Sequence, residues 1–249
     1  MPVALRSSAI VFGMTVLVSS LGYAFFAAPQ EWKSGVDWHE PAIITSGDGP
    51  APPSDAIVLF DGKSLDAWDG VGKWKIENGY AVTGGGDAIT KQEFADCQLH
   101  IEFATPEKVE GSSQGRGNSG VFLMNTFEVQ ILDSFNNETY FDGQCGGIYK
   151  QRPPLVNCCR GPGEWQAYDI ILHAPQFHTN GTLKRPATVT ILQNNVLVQD
   201  HLELLGDTPY TSAPYYTPNV VKGPIRLQFH GNTVKYRNIW LRELAAPHV

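Results

Sequence analysis

Residues 187–200 read ATVTILQNNVLVQD, two runs of aliphatic and β-branched residues separated by Asn194 and Asn195. Asparagine tolerates the positive φ angles of a two-residue turn, so this stretch predicts a tight β-hairpin. The stretch IENGYAV at residues 76–82 places Asn-Gly between apolar residues and predicts a second hairpin. Neighbouring strands are therefore expected to be antiparallel.

Similar short β-like runs recur from residue 56 onward, and no convincing amphipathic helix interrupts them. The chain also has 25 glycines and 17 prolines, which suits a fold with many turns. These features predict an all-β protein, a two-sheet antiparallel sandwich with a jelly-roll topology. The other runs are AIVLFDG, CQLHIEFAT, SGVFLMN, FEVQILD, YDIILHA, IRLQFHG and VKYRNIWLREL.

The length and charge of the chain limit the classes of partner. At 249 residues it is long enough for one domain with a substantial core. Its formal net charge of -7 removes the usual electrostatic argument for nucleic acid or an anionic membrane as partner. A neutral ligand fits this composition best.

The N-terminal residues 1–28 have the composition of a targeting segment. Arg6 is followed by an uncharged apolar stretch that ends in small residues. This pattern predicts a secretory signal peptide, with an uncleaved membrane anchor as the alternative. Either one implies export to the periplasm or the extracellular space, and contact with a membrane only if the segment stays uncleaved.

A Pro/Gly-rich arm or linker at residues 29–55 separates this segment from the domain expected at residues 56–245. Trp32 and Trp38 lie in the arm. Because exposed indoles are uncommon in flexible linkers, we expect part of the arm to pack on the domain.

The four cysteines, Cys97, Cys145, Cys158 and Cys159, lack the spacing of a zinc site. In an exported protein they could form disulfides. We expect Cys145 to pair with Cys158 or Cys159, and the alternative is buried free thiols.

The stretch FEVQILDS at residues 127–134 carries polar groups within an apolar strand. Alternation places Phe127, Val129 and Ile131 on the core face and Glu128 and Gln130 on the other. Isolated carboxylates and amides near aromatic residues are typical of the floor of a groove, whereas a solvated face carries more lysine, glutamate and threonine.

Asp133 is out of phase with Glu128 under strict alternation. A β-bulge near residue 131 or 132 would bring it to the same side, so we expect a polar row of Glu128, Gln130 and Asp133. This E-x-Q-x-x-D row is similar to the E-x-D-x-x-E row of laminarinase-type glucanases. It differs at two of the three positions, which argues against hydrolysis by paired carboxylates.

Two other strands carry polar residues in phase. In IRLQFHG the same alternation places Arg226, Gln228 and His230 opposite the core, and His230 beside Glu128 if both strands share a sheet. In CQLHIEFAT it places residues 98, 100 and 102 together, and we interpret these as an exposed face.

Two loop stretches could contact a ligand. GSSQGRGNSGVF, residues 111–122, lacks the features of a phosphate loop, and it offers Arg116 and Asn118 as hydrogen-bonding groups. Residues 136–165 carry Tyr140, Tyr149 and Trp165 among glycines. Such aromatic rings either stack on sugar rings or pack the loops themselves.

Seven motifs in order resemble the 3-keto-disaccharide hydrolase domain family, formerly a domain of unknown function, within the concanavalin A-like lectin/glucanase superfamily. The resemblance runs from Ala56 to Leu244. It implies a concanavalin-like jelly roll, export from bacterial cells, and action on glycosides oxidised at C3. The motifs are IVLFDGKSLDAW, WKIENGYAV, GNSGVF, FEVQILD, QCGGIY, PGEWQAYDI and GPIRLQFHGNTVKYRNIWL.

This resemblance implies an acid-base reaction. A ketone at C3 acidifies the hydrogen at C2, so one base can start an elimination that water completes. We expect Glu128 as base or as a metal or sugar ligand, and His230 as partner acid/base. Asp133 completes the catalytic set and, with Gln130, is expected to orient the sugar. The predicted substrate-binding residues are Gln130, Lys91, Arg116, Asn118, Tyr149, Trp165 and Gln228, with Lys91 and Arg116 as the cations that stabilise an enolate.

No cofactor is required by this chemistry, although a divalent cation such as calcium could bind Glu128 and Asp133. The expected partner is an oligosaccharide or glycoside. The alternatives are a non-catalytic, lectin-like carbohydrate-binding module and a laminarinase-type glucanase.

Overall fold

The computed structural model describes residues 30–244, and within them β-strands are the dominant regular structure. Two short 3-10 turns, Ser113–Gly115 and Phe141–Gly143, are the helical segments of this part of the chain. The strands are β1 (Ile57–Phe60), β2 (Trp68–Asp69), β3 (Lys75–Glu77), β4 (Tyr80–Val82), β5 (Ala88–Phe94), β6 (Cys97–Ala104), β7 (Ser119–Leu123), β8 (Phe127–Ile131), β9 (Gln166–His173), β10 (Gln176–Phe177), β11 (Leu183–Arg185), β12 (Thr188–Gln193), β13 (Val196–Glu203), β14 (Gly223–Leu227) and β15 (Lys235–Glu243).

The strands form two main antiparallel sheets. An eight-stranded sheet has the order β13-β12-β9-β6-β15-β4-β3, with β1 paired to β15, and a five-stranded sheet has the order β2-β5-β14-β7-β8. Strands β10 and β11 form a separate two-stranded ribbon. The predicted all-β, two-sheet antiparallel sandwich of the jelly-roll class is confirmed.

Both predicted hairpins are present. Asn194 and Asn195 have φ angles of 53° and 65° between β12 and β13, and Asn78 and Gly79 have φ angles of 49° and 80° between β3 and β4. Two successive positive φ angles define the turn whose twist matches that of the paired strands.

The core lies between the inner faces of the two sheets. Phe127, Val129 and Ile131 of β8 are buried there, as alternation predicts. Tyr168 and Tyr236 are completely buried and contribute their hydroxyl groups to hydrogen bonds inside the core. Burial of an apolar side chain such as Phe127, Val129 or Ile131 stabilises the sandwich by roughly 1.5–3 kcal/mol.

Strand β5 does not appear among the runs predicted from the sequence. Its residues Lys91 to Glu93 are exposed in succession, and its register with β14 shifts between Pro224 and Arg226. This irregularity removes the period-2 pattern on which strand prediction depends.

The expected disulfide is absent, and this expectation was wrong: all four cysteines are free thiols. The sulfur of Cys145 lies 3.0 Å from the Tyr168 hydroxyl, and those of Cys158 and Cys159 donate to backbone carbonyls. Burial raises the pKa of Cys145, so this thiol stays protonated.

Part of the arm contacts the sandwich. The Pro50 carbonyl accepts a hydrogen bond from Asn238 Nδ2 at 2.7 Å, and Asp55 forms an ion pair with Arg242 at 2.6 Å. Trp32 and Trp38 are exposed and belong to the other of two compact units. The chain divides into two compact units after Glu40, and the sandwich belongs to the second.

Between residues 30 and 244 no helix is long and apolar enough to cross a membrane. The predicted signal peptide or anchor at residues 1–28 lies outside the described residues.

Candidate active site in the groove of the five-stranded sheet

The outer face of the five-stranded sheet forms a groove with a cavity of about 710 Å³. Its floor comes from β7, β8 and β14, and its walls come from the loops that flank them. The lining residues are Ser113, Gln114, Asn118, Phe122, Glu128, Gln130, Tyr140, Tyr149, Thr208, Tyr210, Arg226, Gln228 and His230.

Strand register places Glu128 in a row across the floor. Phe122 of β7 is the cross-strand partner of both Glu128 on β8 and Arg226 on β14. The Arg226 guanidinium lies over the Phe122 ring, 3.4 Å from its centroid. The aromatic ring therefore separates a carboxylate from a cation that faces the same groove.

A glycine makes room for the carboxylate. Gly120 is the cross-strand partner of Gln130, and a Cβ atom added there would lie 2.5 Å from Glu128 Oε1. The backbone carbonyl of Gly120 also accepts a hydrogen bond from the Gln228 amide at 3.0 Å. Any larger residue at position 120 has to displace the Glu128 side chain.

Glu128 is only 5% exposed, and burial raises its pKa to about 8. The positive charge of Arg226 lowers this pKa and the negative charge of Asp87 raises it, and these two residues form an ion pair at 2.7 Å. A buried glutamate with this pKa exchanges its proton near neutral pH, as a general acid or base must.

The Gln130 amide contacts the carboxylate. In the orientation that satisfies both of its polar atoms, Gln130 Nε2 donates to Glu128 Oε1 at 3.0 Å and to the Ser119 carbonyl at 3.2 Å. These two hydrogen bonds help to hold the Glu128 carboxylate in the groove.

Six of the predicted site residues line the groove. They are Glu128, Gln130, Asn118, Tyr149, Gln228 and His230. His230 is exposed, beyond the end of β14, in the sheet that also contains Glu128. The buried Gln228 Oε1 has no hydrogen-bond partner, and Tyr149 bonds to the Tyr140 hydroxyl at 2.7 Å.

Asp133 and Arg116 are not part of the groove. Asp133 is 2% exposed, its Oδ2 lies 2.6 Å from Arg116 Nε, and the two residues line a separate cavity of about 330 Å³. The predicted bulge was wrong, because the β7–β8 register is regular up to Ile131 and the strand ends there. The local ion pair then holds Asp133 away from Glu128.

Two further predicted residues lie elsewhere. Lys91 is exposed on β5 and does not line the groove. Trp165 lines a cavity on the eight-stranded sheet, on the opposite side of the sandwich, together with His100 and Glu102. These last two residues are buried, so the interpretation of their strand face as exposed was also wrong.

The groove contains residues that were not predicted as site residues. Thr208 accepts a hydrogen bond from the Glu128 backbone amide at 3.1 Å, and Tyr210 follows it on the same loop. Gln114 bonds to Gln130 from the Gly-rich loop. Arg226 was in phase with His230 in the sequence, so alternation could have identified it, whereas no periodic signal marks the loop residues.

The side chains around Glu128 do not fit the divalent-cation site predicted for Glu128 and Asp133. Within residues 30–244, no group of three or more His, Cys, Asp or Glu side chains is arranged to hold a metal ion. Asp133, the second ligand in the prediction, is engaged by Arg116 instead. We therefore derive no step through a metal.

Known proteins resemble this chain in sequence and in fold. The chain is 24% identical over 288 residues to the 3-keto-disaccharide hydrolase of Bacteroides thetaiotaomicron, an alignment that covers 92% of this chain and 94% of the relative. A crystal structure of a candidate glycosyl hydrolase from Parabacteroides distasonis ATCC 8503 matches with a TM-score of 0.81 and 45% identity, over 85% of this chain and 95% of that one.

A second structure from the same organism has a TM-score of 0.55 and 23% identity, covers 76% of this chain and 99% of that one, and shows the shared fold. The sequence profile of the family described as a 3-keto-alpha-glucoside-1,2-lyase-like domain matches residues 55–242. This chain therefore belongs to the 3-keto-alpha-glucoside-1,2-lyase-like family.

Proposed function

We propose that the protein is a hydrolase that cleaves the glycosidic bond of 3-keto-glycosides by elimination followed by hydration. The family and the curated relative support this class of substrate. The observation that carries the proposal is Glu128, the one carboxylate among the described residues that line the groove, with a pKa raised to about 8.

A single carboxylate suits elimination better than ordinary glycoside hydrolysis. Retaining and inverting glycosidases use two carboxyl groups, separated by roughly 5 to 9.5 Å. With Asp133 held outside the groove by Arg116, the paired arrangement of a laminarinase-type glucanase is missing from the described lining. A ketone at C3 removes the need for a second carboxyl group, because it acidifies the C2 hydrogen.

The reaction then has two stages. A base removes the C2 proton, the electron pair forms the C1=C2 double bond through an enolate, and the C1 oxygen leaves with a proton from an acid. Water then adds to C1 and a proton returns to C2. The products are the 3-keto sugar and the free alcohol.

Glu128 is the proposed base, because a carboxylate with a pKa near 8 is a stronger base than an ordinary glutamate and is still ionised in part at neutral pH. The Gln130 amide, which donates to Glu128 Oε1 at 3.0 Å, helps to position this carboxylate. Arg226 is the groove cation that can stabilise the enolate, the role predicted for Lys91 and Arg116. His230 is the proposed acid for the leaving oxygen.

A non-catalytic saccharide-binding role is the second candidate, since tyrosines and amides on the groove walls suit recognition of sugars. It gives no reason for burying Glu128, which is costly to ionise. For the location, we propose export directed by residues 1–28, on the basis of their composition.

The test is incubation of the protein with a 3-keto-glucoside and with its unoxidised parent, followed by identification of the products. Release of 3-keto-glucose from the oxidised sugar alone is expected, and Glu128→Gln should abolish it. Glu138→Gln, the same change at an exposed loop residue, is the matched control. Cleavage of the unoxidised parent would contradict the proposal, and binding without turnover would favour the lectin-like role.

A further inference from the structure

The eight-stranded sheet carries its own cavity, about 590 Å³ in volume, on the face opposite the groove. This volume is within the range of small-molecule sites, roughly 300–1,000 Å³. The cavity is lined by Gly49, Pro50, His100, Glu102, Arg160, Trp165, Gln166, Ala167, Asp169, Asn194, Asn195, Arg237 and Trp240.

One row of its floor is an aromatic and charged stack. His100 on β6 is the cross-strand partner of Trp240 on β15 and of Asp169 on β9. The His100 ring stacks on Trp240 with centroids 5.1 Å apart, and its Nδ1 lies 2.7 Å from Asp169 Oδ1. The side chains of this row form a rigid base.

The adjacent row of cross-strand partners borders the open part of the cavity. Glu102 is the partner of Arg237 on one side and of Ala167 on the other, and Arg237 Nε donates to Glu102 Oε2 at 2.6 Å. The methyl group of Ala167 occupies little volume beside Trp165. The Arg237 guanidinium lies 4.1 Å from the centroid of the Trp165 ring, so this ring forms a fixed wall.

The charges of this cluster are largely balanced internally. Burial opposes protonation of His100, but the hydrogen bond to Asp169 and the negative charge of Glu102, whose Oε1 lies 3.8 Å from His100 Nε2, outweigh it and raise the pKa to about 9. Burial also opposes ionisation of Glu102, but the nearby His100 ring and the hydrogen bonds from Asn238 and Arg237 lower its pKa to about 2. His100 and Glu102 are therefore both charged, with Asp169 and Arg237 as their hydrogen-bonded counterions, and the floor has little demand for an ionic ligand.

The hydrogen-bonding groups that remain accessible include both donors and acceptors. The Asp169 carboxylate is 31% exposed and accepts, the Arg160 guanidinium is exposed and donates, and the Asn195 amide does both. Sugar hydroxyls also donate and accept, and the partly exposed Trp165 ring offers a flat apolar surface for the CH groups of a pyranose. We propose that this cavity is a second binding site for a neutral saccharide, separate from the groove.

The test uses the indole N–H signals of the tryptophans in the two-dimensional NMR spectrum of the intact protein. Maltose, cellobiose and methyl α-glucoside, all unoxidised, serve as probes. A saturable shift of the Trp165 signal is expected with at least one of them, and Glu128→Gln should leave that shift intact. Turnover of a 3-keto-glucoside should be unaffected by the site variants Asn195→Ala and Arg160→Ala.

These two variants change exposed side chains, and each should raise the dissociation constant obtained from the saturable Trp165 shift at least threefold. Trp32→Ala, outside the sandwich, should leave this constant unchanged. Absence of a saturable Trp165 shift with all three sugars would overturn the proposal. So would a shift that disappears in Glu128→Gln, since it would then report the groove. Neither result depends on the turnover of a 3-keto-glucoside. The proposed second saccharide site and the proposed hydrolase function can therefore be refuted independently.

Discussion

At the scale of the residue, the protonation of Glu128 depends on packing around it. Gly120 leaves space for its carboxylate, Phe122 covers one side, and the Asp87–Arg226 ion pair limits how strongly the guanidinium stabilises its charge. An Arg226 guanidinium without the Asp87 counterion would lower the pKa of Glu128 further. The pair therefore keeps a cation in the groove without converting Glu128 into an ordinary, weakly basic carboxylate.

The pH dependence of turnover should follow this residue. If Glu128 is the base, kcat/KM rises about tenfold per pH unit below its pKa of about 8 and levels off above it. The dependence should disappear in Glu128→Gln, measured by initial rates on a 3-keto-glucoside. A rate that falls as the pH rises through 8 would make Glu128 the acid.

Gly120→Ala tests the space requirement. The added Cβ would displace the Glu128 carboxylate, so kcat should fall by about 100-fold, since small misplacements of reacting groups have effects of that order. The melting temperature should change little, because alanine suits a strand better than glycine. Gly72→Ala, where a Cβ meets open space, is the control, and equal activity of the two variants would refute this account.

At the scale of the element, alternation within strands predicted much of the site. It placed Glu128 and Gln130 on one face of β8, and Gln228 and His230 on one face of the IRLQFHG stretch. That these stretches share a sheet depends on long-range pairing through β7, which no local pattern encodes.

The errors have local causes. Asp133 follows the last residue of β8, and its ion pair with Arg116 replaces the bulge expected from spacing. Trp165 was predicted on a loop over the groove. It lies at the eight-stranded sheet instead, because β9, which directly follows it, pairs with β6. The family motifs identified the fold, but they did not reveal these contacts.

The loop from Leu204 to Val221 contributes to the groove through side chains alone. Thr208 anchors it to β8, and Tyr210 is 68% exposed beside the cavity. Tyr210→Ala should raise KM about fivefold, equivalent to roughly 1 kcal/mol, with kcat nearly unchanged. Tyr215→Ala on the same loop should change neither constant, and steady-state kinetics on a 3-keto-glucoside would compare them.

At the scale of the whole molecule, each polar face of the sandwich carries a group with a raised pKa, so both faces lose stability as the pH rises, in two different pH ranges. Glu128 has a raised pKa, so the folded state loses stability as the pH rises from 4.5 to about 8. The raised pKa of His100 stabilises the folded state fully below 6.5, and this contribution is lost as the pH rises through about 9.

Asp169→Asn tests the contribution of protonated His100 to stability. It removes one of the two carboxylates that hold His100 protonated, and should lower the free energy of unfolding by about 1–2 kcal/mol below pH 6.5. Above pH 9 the difference should shrink. Asp200→Asn, an exposed change on the same sheet, is the control in urea unfolding, and a loss independent of pH would contradict the assignment.

The central claim is that Glu128 removes the C2 proton of a 3-keto-glycoside. The measurement that tests it most directly is the turnover of a 3-keto-glucoside with deuterium at C2 by the native protein and by Glu128→Gln. The account predicts a primary isotope effect in the native protein and a loss of rate of about 10² to 10⁴-fold in the variant. Turnover with no isotope effect, or a variant as active as the native protein, would contradict it.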